Sequence, residues 1–141
     1  MRFASHEIDF WELRCAETSY AQHPETFWIP SESERNSARR GQAAKLIFEI
    51  EVADETGKIL IESERMWVVV SEIGDGFYIG ILDNQPASIE PSDDVYLRFG
   101  AEVPFAARHI IEIADPPADY SAWQLEQPPE VRWHGRDSRS S

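Results

Sequence analysis

The sequence predicts an α+β fold of mainly β structure: a small, strongly bent antiparallel sheet or an SH3-like barrel, with one N-terminal helix. Three observations predict this class. Apolar and charged residues alternate over 43–53, strand-like runs continue to residue 113, and turn-forming residues separate these runs at short intervals. A chain of 141 residues with 42% hydrophobic and 11% aromatic content can build one domain around its own core.

Composition sets the expected limits of that domain, which we place at residues 1–116. Residues 117–141 are richer in proline and polar side chains, so we expect them to form a C-terminal extension. Within the extension, residues 135–141 are expected to be disordered because they are polar and contain no apolar side chain.

One helix is expected near the N-terminus, over about residues 6–21. Ile8, Trp11 and Cys15 recur at i, i+3 and i+7, which would place them on one face of a helix. Ser5 precedes the segment and is a suitable N-cap.

The β core is expected over about residues 43–113. Residues 43–53 alternate with a period of two, which is typical of a half-buried strand. An Asp-Glu-Thr-Gly turn follows, and the extended run 58–61 closes a first hairpin. A Gly-Asp-Gly turn between two strand-like runs predicts a second hairpin. The other predicted strands are 64–73 and 77–82 around that turn, then 95–97, 103–105 and 109–113.

The chain is strongly acidic, with 26 Asp and Glu against 13 Lys and Arg, a formal charge of −13. A general nucleic-acid binder is excluded on this basis, since phosphate contacts need a basic surface. Residues 41–113 hold 14 of the acidic and 5 of the basic residues, a net charge of −9. This charge either serves solubility alone or attracts a basic partner.

No secretory signal or membrane segment is expected. Residues 1–17 carry charges throughout, and the longest uncharged hydrophobic stretch, 66–70, is far shorter than the roughly 18 residues that a membrane span needs. The single cysteine, Cys15, cannot form an internal disulfide. A cytoplasmic location is therefore predicted, with no membrane partner.

The sequence predicts no catalytic residue, no cofactor and no metal site. The four histidines are scattered, and none has a partner at the spacing of a zinc motif. The nearest pair, His109 and Glu112, would point to opposite faces of a strand. Cys15 lies on the apolar side of the expected helix, where packing is the favoured role.

Aromatic and polar residues near the second hairpin form a candidate interaction surface. The alternative, which we favour, is that both faces of the sheet are covered, since a small domain must bury most of its aromatic side chains. The outer cover would be the N-terminal helix or Phe27–Trp28. The candidate surface consists of Trp67, Tyr78, Asp83, Asn84, Pro86 and His109.

Several short segments between residues 23 and 113 occur in a suggestive order. They are His23–Phe27 with Ile29–Pro30, Lys45–Phe48, Glu64–Val70, Phe77–Pro86, and Phe105 followed by His109–Ile111. The series resembles an uncharacterised bacterial family, domain of unknown function 2314, whose pattern includes E-x-M-W-V-x-V and then Y-x-G-x-L-x-N-x-P. The chain departs from that pattern at Gly100–Glu102, where family members carry Gly-Asp.

The resemblance implies a small β-rich domain, sometimes encoded near toxin–immunity loci, with no catalytic residues to carry over. It also implies that Asn84 and Pro86 shape the loop at the open end of the second hairpin, with Asp83 binding backbone donors there.

These observations predict a non-enzymatic protein-binding module, in its most concrete form an acidic immunity or inhibitor protein with a basic protein partner. One alternative is a small-ligand or hydrolytic domain that uses Asp83, His109 and Glu112, with Trp67 or Tyr78 as a stacking wall. The other is an accessory domain whose charge serves only solubility. The oligomeric state is left open.

Overall fold

A computed structural model of the chain describes residues 1–92 and 94–136. The strands are β1 (Trp11–Leu13), β2 (Ala43–Ala53), β3 (Ile59–Ile73), β4 (Tyr78–Leu82), β5 (Glu102–Phe105) and β6 (Ile110–Ala114). The helices are α1 (His6–Asp9), α2 (Ala16–Gln22), α3 (Glu32–Asn36) and α4 (Ala118–Glu126), with a 3₁₀ turn at Ala107–His109.

The strands form one antiparallel sheet in the order β1-β2-β3-β4-β5. β6 returns to the first part of β2, on the edge that β1 also uses. In a flat sheet the strands β5 and β6 would lie about 19 Å apart, four strand spacings. Only the segment Ala106–His109 joins them, so the sheet must curl into a half-barrel. This confirms the predicted fold class.

The alternation that predicts β2 also sorts its side chains between the two faces of the sheet. Leu46, Phe48 and Ile50 point to the inner face and join the main hydrophobic core. Ile47 points to the outer face, where Ala16 of α2 and the half-buried Phe27 cover it. Both faces are therefore covered near the middle of the sheet.

The predicted helix 6–21 is wrong as one continuous element. Phe10 adopts a left-handed backbone conformation with φ of 66°, which ends α1 after a single turn. Trp11 then pairs with Ile50 as part of β1 and packs against Phe48 in the core. Ile8, which shares the predicted helical stripe, is exposed. Pairing with β2 outweighs the local helical spacing.

The C-terminal segment belongs to the domain, contrary to the predicted boundary at residue 116. α4 contacts β3, Val131 bridges to Ala101, and the indole of Trp133 is buried in the main core. At the end of this segment, Arg136 forms ion pairs with two carboxylates. Most of the predicted disordered stretch, residues 137–141, lies outside the described residues.

Two smaller expectations also change. The predicted strands 58–61 and 64–73 are continuous in β3, and the predicted short strand 95–97 is not paired, although Leu97 is buried. In the part of the chain that the structure describes, no helix combines the length and apolar character that crossing a membrane requires.

Candidate functional site

Four side chains form a row across the outer face of the sheet, with Trp67 near its middle. Lys45 is the partner of Trp67 on β2, and its Nζ lies 5.2 Å from the centre of the Trp67 ring. The same Nζ lies 3.6 Å from Oε1 of Glu112 on β6. On the other side of Trp67, the backbone N–H of Asp83 donates to the Trp67 carbonyl at 2.9 Å. The order along the row is therefore an acid, an aromatic ring, a base and an acid, from Asp83 through Trp67 and Lys45 to Glu112.

The loop after β4 is fastened to β3 by side chains. Asn84 Oδ1 accepts the backbone N–H of Trp67 at 2.7 Å, and Pro86 is buried. The Glu64 carboxylate accepts backbone N–H groups of Ala87 and Ser88 at 2.8 and 3.0 Å. Partial burial by itself raises the pKa of Glu64, but the hydrogen bonds from Ser88 and Ala87 outweigh it and lower the pKa below its usual value.

Helix α4 holds Asp83 in place. The Tyr120 hydroxyl donates to Asp83 Oδ1 at 2.5 Å, and the Gln124 amide donates to the same oxygen at 2.9 Å. The bond to Asp83, with some desolvation, raises the pKa of Tyr120 to about 12. Trp123 lies beside Tyr120, with ring centres 5.9 Å apart, and both rings are partly exposed. This pair was not predicted from the sequence, because both residues lie in the segment that was expected to form a C-terminal extension.

Tyr78 and His109 lie in the interior, away from the other predicted surface residues. The Tyr78 ring stacks on Phe105 and its hydroxyl donates to the Arg35 carbonyl at 2.8 Å. His109 Nδ1 accepts the N–H of Ala106 at 2.9 Å. Desolvation lowers the pKa of His109 to about 4, so the ring is neutral near pH 7.

Of the six candidate surface residues, Trp67, Asp83, Asn84 and Pro86 therefore lie together, whereas the other two contribute no exposed side chain. Tyr78 is directed inward by the parity of β4, and His109 sits in a 3₁₀ turn rather than in the strand that the sequence predicts.

The three residues of the hydrolytic alternative have separate partners. Asp83 binds α4, Glu112 pairs with Lys45, and His109 binds its own turn. Asp83 and Glu112 stand at opposite ends of the row, three strand spacings or about 14 Å apart. A cavity of about 390 Å³ that His109 lines includes neither of the other two. Within residues 1–92 and 94–136, no group of three or more His, Cys, Asp or Glu side chains could hold a metal ion.

Among runs of 16 residues in the sequence, the largest net charge belongs to the far part of the β2–β3 hairpin, residues 49–64, which we call the acid arm. It has six carboxylates and one basic side chain, a net charge of −5. β1 pairs with β2 only as far as Ile50, and β4 pairs with β3 only from Val68. The end of the arm therefore projects beyond the rest of the sheet. Its carboxylates are Glu49, Glu51, Asp54, Glu55, Glu62 and Glu64, and its base is Lys58.

Four of these carboxylates have partners within the fold. Glu49 binds Arg14, Glu51 lies 2.9 Å from His6 Nδ1, Glu64 binds the loop after β4, and Asp54 accepts N–H groups within its own turn. The other two, Glu55 and Glu62, are exposed and have no hydrogen bond or ion pair to any residue that the structure describes. These two carboxylates are available to a partner.

The acid arm also has an open sheet edge. Trp67 directs its N–H and C=O away from β2, whereas the Val70 N–H donates to the carbonyl of Gln42, the residue just before β2. Because an antiparallel strand alternates these directions, Ile59, Ile61 and Ser63 also point their backbone groups away from β2.

Among the described residues, none pairs with the backbone of the arm on that side. The side chains there are apolar and accessible, since Ile59 is 57% exposed, Leu60 38% and Ile61 52%.

Comparison with protein-family models, with curated proteins and with solved structures gives no match. The resemblance to the family of unknown function therefore stays a prediction.

Proposed function

We propose that this protein is a non-enzymatic, cytoplasmic protein-binding module whose acid arm binds a basic protein. An immunity- or inhibitor-type protein that blocks a basic enzyme is the concrete form of this function. The observation that carries the proposal is the acid arm itself, which places a net charge of −5 and two unpaired carboxylates on a projecting hairpin.

The distribution of charge favours a partner over solubility alone. The arm comprises 16 of the 141 residues but holds −5 of the total −13. A concentrated field of one sign raises the association rate of an oppositely charged protein, and this effect weakens as salt screens the charges.

Exposed apolar side chains on the same arm can be buried by a partner, which adds a hydrophobic contribution to the electrostatic attraction. Ile59 and Ile61 lie on its outer face and Leu60 on its inner face. Burial of an aliphatic side chain stabilises a complex by up to about 1.5–3 kcal/mol. Apolar contacts inside a charged rim are the usual composition of a specific protein interface.

The family resemblance is kept as part of this proposal. Its two most specific segments, residues 66–67 and 80–86, contact each other at the base of the acid arm. In this function they would act by holding the arm in place rather than by touching a substrate. We propose no enzymatic activity, no cofactor and no nucleic-acid partner.

A matched pair of double variants tests the proposal. The probe is a capped, fluorescently labelled peptide of alternating lysine and valine, seven residues long with lysine at both ends. Glu55→Gln with Glu62→Gln removes the two unpaired carboxylates of the arm. Glu25→Gln with Glu126→Gln removes the same net charge from exposed positions elsewhere.

Fluorescence anisotropy at low and at moderate salt gives the affinity of each variant. We expect the arm variant to bind about tenfold more weakly at low salt, since each exposed charge pair contributes up to about 1 kcal/mol. The control should bind like the wild type. Equal weakening of both variants would mean that only total charge matters, and the proposed function would be wrong.

A further inference from the structure

We infer that the partner binds by adding a strand to the open edge of β3 at residues 59–63, an inference that rests on the proposed function. The partner would contribute an extended segment in which apolar and basic side chains alternate. Backbone hydrogen bonds would then hold the complex together, and the charge of the arm would select the partner.

The open edge has defined ends. At the tip of the hairpin, the Lys58 carbonyl accepts the N–H of Asp54 and closes the turn. At the base, the Glu64 side chain and the Trp67 backbone bind the loop after β4. Between these ends lie five residues, which span about 14 Å along the strand. Ile59, Ile61 and Ser63 offer three N–H donors and three C=O acceptors to an added strand.

The edge carries one charge, that of Glu62, and otherwise lacks the features that natural proteins use to prevent strand addition. Residues 59–63 contain no proline, no glycine and no lysine, and their pairing with β2 has no bulge. An exposed, regular, apolar edge is a template for another strand. Its hydrophobic side chains are therefore better explained by a partner than by a role in the folded monomer, where they remain exposed.

Parity of β3 sets the side-chain pattern of the partner. Ile59 and Ile61 lie on the outer face, and Leu60 and Glu62 lie on the inner face. Side chains that are neighbours across two strands interact directly. An added strand would thus place apolar side chains beside Ile59 and Ile61, and a basic side chain beside Glu62.

Charge distinguishes a basic partner from a second copy of this chain. Two copies that paired along this edge would bring two acid arms together, each with a net charge of −5. Repulsion between the two negatively charged arms would oppose their association. A lysine- or arginine-bearing strand has the opposite effect, so we assign the edge to a different, basic protein.

Proline at position 61 tests the backbone pairing. The Ile61 N–H points away from β2, so Ile61→Pro removes a donor from the open edge without removing a β2–β3 hydrogen bond. Leu60→Ala is the control, since it shortens a side chain of the arm and leaves every backbone donor in place. The probe is the same lysine–valine peptide, and a second probe has its valine nitrogens methylated, which keeps its charge and removes its donors.

Strand addition predicts that Ile61→Pro weakens binding of the unmethylated peptide at least about tenfold, a loss of about 1.4 kcal/mol. Methylation of the peptide should weaken binding to the wild type by a similar factor. This measurement uses only the wild-type protein, so it does not depend on how well a variant folds. Hydrogen exchange should show new protection of the amides of Ile59, Ile61 and Ser63 in the complex. Leu60→Ala should weaken binding less than Ile61→Pro.

The outcomes separate strand addition from the proposed function. If Ile61→Pro and the methylated peptide bind like their parents while the Glu55 and Glu62 double variant still binds weakly, charge recognition stands and strand addition is wrong. If the wild type does not bind the peptide even at low salt, both fail. A wild-type dimer that Ile61→Pro dissociates would identify a second copy as the occupant and overturn the inference.

Discussion

Replacement of Trp133 by alanine tests whether the C-terminal segment is part of the core. The side chain is 2% exposed, and its Nε1 donates to the Arg2 carbonyl at 2.8 Å. Its ring meets Trp11 and Tyr96 edge-on, with ring centres 5.9 and 5.5 Å apart. The indole thus links the two ends of the described chain to the inner face of the sheet.

The expected magnitude follows from these contacts. A buried tryptophan removes about 200 Å² from water, which at about 25 cal/mol per Å² corresponds to about 5 kcal/mol. The lost hydrogen bond to Arg2 adds about 1 kcal/mol. Relaxation of the terminal segment into the cavity recovers part of this, so we expect a loss of about 4 kcal/mol, within the range for such truncations.

Urea unfolding followed by far-UV circular dichroism measures the change without depending on tryptophan emission. Trp28→Ala is the matched control, because Trp28 is 72% exposed and its removal should change the free energy of unfolding by less than about 0.5 kcal/mol. A loss below about 1 kcal/mol for Trp133→Ala, or equal losses for the two variants, would refute the packing of this segment.

Three further predictions concern the interior and the base of the acid arm. Burial lowers the pKa of His109 to about 4, below its value of about 6.5 in the unfolded chain, so protonation favours unfolding and stability should fall by up to about 3 kcal/mol as the pH decreases from 6.5 towards 4. His109→Asn should flatten this dependence in urea unfolding measured at pH 7 and pH 4.5. A Cβ at Gly80 would lie 2.6 Å from Val68 Cγ2, so Gly80→Ala should cost about 1–3 kcal/mol, measured the same way. Asn84→Ala leaves the Trp67 N–H without its acceptor and should cost about 1 kcal/mol, with faster hydrogen exchange at that amide.

The local sequence pattern was sufficient to predict the central hairpins. The period-two alternation of 43–53 predicts the bounds of β2, because one face of that strand packs in the core and its flanking residues form turns. The Gly-Asp-Gly turn likewise predicts that β3 and β4 pair, as they do. These elements depend on neighbours in sequence, which is the information that a single chain provides.

Elements that depend on distant contacts could not be predicted in this way. The spacing of Ile8, Trp11 and Cys15 favours a helix, and only pairing with β2 makes Trp11 part of a strand. Trp133 stands alone in a polar, proline-rich segment with no periodicity around it, so no local signal marks it as a core residue.

The candidate site likewise combines a feature that the local sequence predicts with one that depends on distant contacts. The sequence predicts an excess of acidic residues in the central segment, but the projection of the acid arm depends on where two other strands stop pairing. β1 stops at Ile50 and β4 begins its pairing at Val68, and neither limit is encoded in residues 49–64.

The limit at Val68 has an identifiable cause in the loop after β4. If β4 continued in register, the Trp67 N–H would donate to the Asp83 carbonyl, but Asn84 Oδ1 takes that N–H instead. The chain therefore leaves β3 here, and Glu64 binds the departing backbone. The polar residues at the base of the arm thus end the sheet early, and it is because they do so that residues 59–63 keep an open edge.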